Sequence, residues 1–186
     1  MTKIINIILL MFVLNAYSYS QDYAVAYFGP TYAISNASEK VYLPGYNFGI
    51  HALLGVPGFF MSPGLGYQKL TLVSHDKQHF FHHEPSFHIL NINNDAGVEY
   101  VIIRNLSIRF FVGASLNYVL SIDENTNNID FNSIYDANFS WDFGMGITFK
   151  AISLEYKIDK GLTGVYKDNY NYSNFTIKSL NLAFRF

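Results

Sequence analysis

The chain has 186 residues and a formal net charge of −2, with 14% charged, 50% hydrophobic and 18% aromatic side chains. Charge this sparse falls well below the roughly 25% of an ordinary soluble domain, and the slightly negative balance excludes the basic footprint of a nucleic-acid-binding protein. The absence of cysteine excludes disulfides and a cysteine-linked lipid anchor, so hydrophobic burial and backbone pairing must hold the fold.

The first residues read as an export signal. Lys3 supplies a positive start, Ile4 to Ala16 form an apolar stretch interrupted by Asn6 and Asn15, and Ser18-Tyr19-Ser20 places small residues where a signal peptidase reads. This predicts a signal peptide over residues 1–20, cleaved before Gln21, and one mature domain over 21–186. The apolar stretch is shorter than the ~20 residues of a spanning helix, and no later run is long enough. An exported, apolar, weakly charged chain can then meet lipid as a closed barrel, because only helices and barrels satisfy every backbone hydrogen bond inside hydrocarbon.

Period-two alternation supports strands, since successive strand side chains point to opposite faces. A first strand is placed around Tyr23 to Ile34. In the second, Tyr46, Phe48, Ile50, Ala52 and Leu54 oppose Asn47, Gly49, His51 and Leu53. In the third, Phe59, Met61, Leu65 and Tyr67 oppose Ser62, Gly64, Gly66 and Gln68; Phe60 breaks the rule and Pro63 suggests a bulge. The fourth sets Val98, Tyr100 and Ile102 against Gly97 and Glu99, blurred by Val101 and Ile103. The fifth is long, with Leu106 through Leu120 at even positions against Ser107, Arg109, Phe111, Gly113, Ser115, Asn117, Val119 and Ser121. The sixth sets Phe139, Trp141, Phe143, Met145, Ile147 and Phe149 against Ser140, Asp142, Gly144, Gly146 and Thr148. The seventh opposes Ile152, Leu154, Tyr156 and Ile158 to Ser153, Glu155, Lys157 and Asp159. The eighth opposes Leu180, Leu182, Phe184 and Phe186 to Ser179, Asn181, Ala183 and Arg185.

Charge decides which face meets lipid. An outward Lys or Arg at mid-membrane costs ~2–4 kcal/mol, and Glu99, Arg109, Asp142, Glu155, Lys157 and Arg185 all fall opposite the apolar face. Lys69 and Lys178 share the apolar face near one strand end, where a long side chain can snorkel to water. The joins alternate long (Ser35 to Pro44, Ser74 to Ser86, Ile122 to Asn138, Gly164 to Asn174) and short (Val56-Pro57, Arg104-Asn105, Lys150-Ala151), the pattern of long external loops and tight periplasmic turns. The expected fold is therefore all-β, an eight-stranded antiparallel up-and-down transmembrane β-barrel of outer-membrane type. At this strand number side chains fill the lumen, so the six inward charges should form an ion-pair and hydrogen-bond network.

Two loops carry residue types that suggest ligands. His75, His79, His82, His83 and His88 crowd together with Asp76 and Glu84, a compositional metal signal for Zn²⁺ or Cu²⁺, although no defined metal motif is matched. A solvated polar loop explains them more simply, and no cofactor is expected. Asp123, Glu124, Asp130 and Asp136 sit in an asparagine-rich loop without EF-hand spacing. Three functions fit. The first is a structural or interaction protein acting through its external loops, with outer-membrane lipid, the barrel-assembly machinery and an unassigned protein as partners. The second is a soluble periplasmic lipocalin-like ligand-binding barrel, which requires more surface charge than the chain has. The third is an outer-membrane barrel enzyme using Ser74 or Ser86 beside a loop histidine.

Leu180-x-Leu182-x-Phe184-x-Phe186 resembles the closing-strand signal read by the barrel-assembly machinery. The wider layout resembles the PorT-type family of eight-stranded outer-membrane barrels. It does so through Pro44-Gly45-Tyr46-Asn47-Phe48-Gly49-Ile50, Pro63-Gly64-Leu65-Gly66-Tyr67, Phe111-Val112-Gly113-Ala114 and Trp141-Asp142-Phe143-Gly144-Met145-Gly146. The resemblance implies cell outer-membrane residence and, for some members, a link to protein secretion; it transfers no catalytic residue. Asn91, Asn93, Asn94 and Asp95 depart from that family's smooth apolar fourth strand, which leaves the start and register of strand four open.

Overall fold

In a computed structural model, residues 23–35, 42–56, 58–71, 85–124, 134–163 and 174–186 are described. They form eight strands: β1 (Tyr23–Ser35), β2 (Tyr42–Val56), β3 (Phe59–Thr71), β4 (Ser86–Ile103), β5 (Leu106–Ile122), β6 (Ala137–Phe149), β7 (Ile152–Gly161) and β8 (Phe175–Arg185). Each strand pairs antiparallel with its sequence neighbours, and β1 pairs with β8 to close the barrel. Closure leaves no unpaired sheet edge. The expected up-and-down barrel is the fold observed. Residues 1–20, the predicted signal, lie outside the described residues.

The short joins gather at one end of the barrel. Gly58, at φ 92°, and Lys150, at φ 55°, adopt the left-handed conformation of tight hairpins. Backbone bonds stitch this end together: Lys150 N donates to Asn105 O at 2.8 Å, Glu99 N to Gly58 O at 3.1 Å, and Arg185 N to Ala151 O at 2.8 Å.

The polarity of a water-soluble barrel is inverted here. Trp141 and Phe143 point outward, 54% and 48% exposed, whereas Arg109 and Glu155 point inward at 2% and 5%. Phe28, Phe48, Leu65, Phe110, Ile147 and Leu180 continue the apolar outer wall on other strands. Soluble monomers rarely leave large apolar residues exposed side by side on so many strands.

The structure corrects three details of the strand reading. β4 is one continuous strand of 18 residues, because Asn91, Asn93 and Asp95 are buried on the inward face; only Asn94 of that run is exposed on the outer wall. Pro63 causes no bulge: the β3–β4 register runs through Pro63↔Asn94 without a shift. Phe60, the apolar residue that breaks the polar pattern of the inward face, is buried there. The irregularities lie instead between β4 and β5, where the register shifts at His88/Ile89 and at Val101/Ile103. The first shift skips Leu120 and so turns Ser121, expected inside, to the exposed outer face.

Candidate functional site: a charged lumen and a polar rim

The lumen is layered. Toward the long-loop end, Leu43, Leu70, Phe87, Val119, Ile134 and Phe175 form a buried apolar cluster. Ile134 reaches it from the segment before β6, held by the bond from Val119 N to Asp136 O at 2.8 Å. Toward the short-turn end, Val25, Leu53, Phe60 and Ala183 form a second cluster, with Tyr23, Tyr27 and Phe111 packed against it. The alternation sets Leu53, Phe111, Val119 and Ala183 inward, but it does not show that they gather with residues of the strand ends into apolar plugs.

Charge fills the space between. All six predicted network residues point inward, and Asp95 and Asp159 join them. Arg109 on β5 pairs with Glu155 on β7, two strands away, across Gly146 of β6: Arg109↔Gly146 and Gly146↔Glu155 are register partners. A Cβ at Gly146 would stand 3.1 Å from both Arg109 Nε and Glu155 Cγ. Lys157 is the hub of a second group, with its Nζ 3.1 Å from Asp142, 3.5 Å from Asp159 and 3.6 Å from Asp95. Asp142 also accepts from Ser115 Oγ. Arg185 Nη2 donates to Glu99 Oε1 at 2.9 Å and to Thr148 Oγ1 at 3.2 Å, and Ser107 Oγ donates to the same carboxylate. Neutral side chains extend the network: Asn91 Nδ2 donates to Asn117 Oδ1 at 2.7 Å, and Gln68 Nε2 to Thr31 Oγ1 at 3.1 Å. Buried charge is tolerated when paired and hydrogen-bonded in this way. Asp95 was hidden in the sequence by the asparagine run; Asp159 stands on the inward face already in the alternation, and the fold adds its pairing with Lys157.

Glycines make room for the inward aromatic rings. A Cβ at Gly66 would collide with the Tyr27 hydroxyl, one at Gly97 with Phe60, and one at Gly144 with Phe111. Gly144→Val should therefore lower unfolding stability by ~1–3 kcal/mol, the cost of overpacking a filled interior. Denaturant unfolding followed through Trp141 fluorescence checks this, and the same substitution combined with Phe111→Ala should recover part of the loss.

A separate polar group sits on the outward surface at the long-loop end. Tyr67 Oη bonds His88 Nδ1 at 2.5 Å, and His88 Nε2 lies 3.2 Å from Asp123 Oδ1. Asp123 Oδ2 accepts from Ser86 N at 3.1 Å, and Asp123 N donates back to Ser86 O at 3.0 Å. The β4–β5 bulge produces this meeting, because the residue skipped at Leu120 restores Asp123 to the outward side beside His88. The arrangement ties the start of β4 to the end of β5. Ser86, the serine considered as a nucleophile, is fully buried and closed to a substrate.

His75, His79, His82 and His83 lie outside the described residues, as do Ser74 and Asp130. Among the described residues no three His, Asp or Glu side chains form a group able to hold a metal ion.

No protein-family model matches the chain, and no curated protein matches its sequence. Solved structures do. Neisserial surface protein A superposes with a TM-score of 0.58 at 14% identity, covering 89% of this chain and 97% of that one. The outer membrane enzyme PagL superposes with a TM-score of 0.53 at 13% identity, covering 88% of this chain and 98% of that one. Identities this low speak for architecture alone: the chain has the fold of the small eight-stranded outer-membrane β-barrels.

Proposed function

We propose that the protein resides in the outer membrane of a Gram-negative cell, as a barrel with a filled lumen that acts through its long loops. The observation that carries this reading is the inverted wall, with phenylalanine, tryptophan and leucine outward and paired charges inward. Hydrocarbon removes the cost of the first, and the lumen pairs the second. A lipocalin-like soluble barrel would need the opposite arrangement, a charged exterior around an apolar cavity.

The same layering argues against a channel. The apolar cluster of Leu70, Phe87, Val119 and Phe175 closes the long-loop mouth, and the charges below it are tied to one another. This favours a barrel that displays its loops to a partner, and the PorT-type resemblance of the sequence supports a role in secretion or surface assembly. Leu180, Leu182 and Phe184 lie on the outward face of β8, where the barrel-assembly machinery would meet them during insertion.

Cell fractionation with a heat-modifiability gel tests the reading. The protein should partition with outer membranes and migrate differently before and after boiling. Recovery in the soluble periplasmic fraction, with one mobility under both conditions, would overturn it.

A further inference from the structure

The lysines on the outer wall are partnered unlike the basic side chains within the lumen. Arg109, Lys157 and Arg185, which point inward, all have carboxylate partners. Lys160 and Lys178 point outward on β7 and β8, and no carboxylate among the described residues pairs with either. The register sets them in one cluster. Lys160 stands opposite Thr176, and Lys178 follows Thr176 on the same face of β8. Residues directly opposite on neighbouring strands have Cβ atoms ~4.5–5.5 Å apart and diagonal neighbours ~7–8 Å, so the register places the two lysines and the threonine on one outward patch within the span of a phosphate group and two long side chains. Trp141 stands opposite Lys160 on one flank, and Tyr32 opposite Lys178 on the other.

We propose that Lys160, Thr176 and Lys178, flanked by Trp141 and Tyr32, bind the phosphate of a lipid headgroup. The proposal rests on the membrane reading above. Phosphate supplies the opposite charge that no described residue sets beside the lysines, and lysine meets it as a point charge. A lipid source is favoured over free phosphate because the cluster borders the apolar wall: Phe143 and Leu180 lie below it, 48% and 46% exposed. Acyl chains would cover that wall while the headgroup rests on the cluster. Trp and Tyr rings prefer the depth at which headgroups lie. Lys69 offers an internal comparison, since it points outward across from His88 on a different part of the wall, away from β7 and β8.

Trp141 is the sole tryptophan of the chain, so its fluorescence reports on this cluster directly. The full chain, folded in neutral dodecylmaltoside micelles and verified by gel mobility, is titrated with phosphatidic acid, with diacylglycerol of the same chains, or with inorganic phosphate. Phosphatidic acid should shift the Trp141 emission in a saturable way, with neither of the other two reproducing it. Lys160→Gln with Lys178→Gln should weaken that response by ~10-fold, in line with the contribution of basic side chains near an anionic surface, while Lys69→Gln leaves it unchanged. Equal responses to diacylglycerol or to free phosphate, an unaltered double variant, or an equal loss in Lys69→Gln would each overturn the headgroup site. Failure of the parent to insert into phosphatidylcholine vesicles would instead overturn the membrane reading; insertion with indifference to phosphatidic acid would overturn the headgroup site alone.

Discussion

Replacing Lys157 by Met should produce the largest loss of stability available from one side chain of the lumen, ~3–5 kcal/mol, the usual cost of breaking a buried ion pair from one side. The ammonium lies within 3.6 Å of Asp95, Asp142 and Asp159, so its removal strands three carboxylates at once. Asp142 is fully buried and keeps Ser115 as a donor, which leaves its charge without a counterion. Unfolding by urea in detergent micelles measures the loss. Lys157→Met combined with Asp159→Asn should lie between the parent and the single variant, because one of the stranded charges is gone. A single variant as stable as the parent would show that the lumen is hydrated well enough to screen the carboxylates, and the description of a tightly paired interior would fail.

The second large effect separates lipid from water as the surrounding solvent. Phe143 is at the middle of β6, and Phe139 is near its long-loop end; both point outward, 48% and 55% exposed. In a bilayer, Phe143→Arg should cost ~2–4 kcal/mol, whereas Phe139→Arg should cost only ~0–1 kcal/mol, since the penalty for a lipid-facing cation falls with distance from the midplane. In water the two substitutions would be alike and nearly neutral, as exposed positions generally are. Folding into phosphatidylcholine vesicles, followed through the mobility shift on gels, compares them. Equal and small effects would remove lipid as the medium of the outer wall.

Within the lumen, the Arg109–Glu155 pair shows why glycine matters in a strand without any turn. The two side chains belong to β5 and β7 and meet because β6 presents Gly146 between them. Gly144 does the same one step along, giving Phe111 space. The Gly-x-Gly spacing of β6 therefore shapes the interior surface, while Phe143, Met145 and Ile147 between and beside the glycines build the exterior.

The rim group arises from a different device. Alternation alone would send Ser121 inward and Asp123 inward after it. One skipped residue in the β5 ladder reverses both, and Asp123 then reaches His88 and the amide of Ser86. Asx-like docking of a carboxylate onto a strand start of this kind steadies the two ends from which the flanking loops leave.

How much of this was written in the amino-acid order follows from the range of the forces involved. Strand number, the short joins at Arg104-Asn105 and Lys150-Ala151, and the inward direction of Glu99, Arg109, Asp142, Glu155, Lys157 and Arg185 were legible, because a two-residue period is a local property of one strand. Which inward charge meets which was not. Arg185 and Glu99 are 86 positions apart, and closure of β1 on β8 is what brings their walls across the same lumen. The apolar plugs were hidden for a related reason. Phe87, Ile134 and Phe175 come from separate strand ends and a loop margin, and each becomes core only when the barrel mouth gathers them. The bulge at Leu120 was likewise silent, since a skipped residue is a property of two paired strands and leaves no trace in either strand read alone.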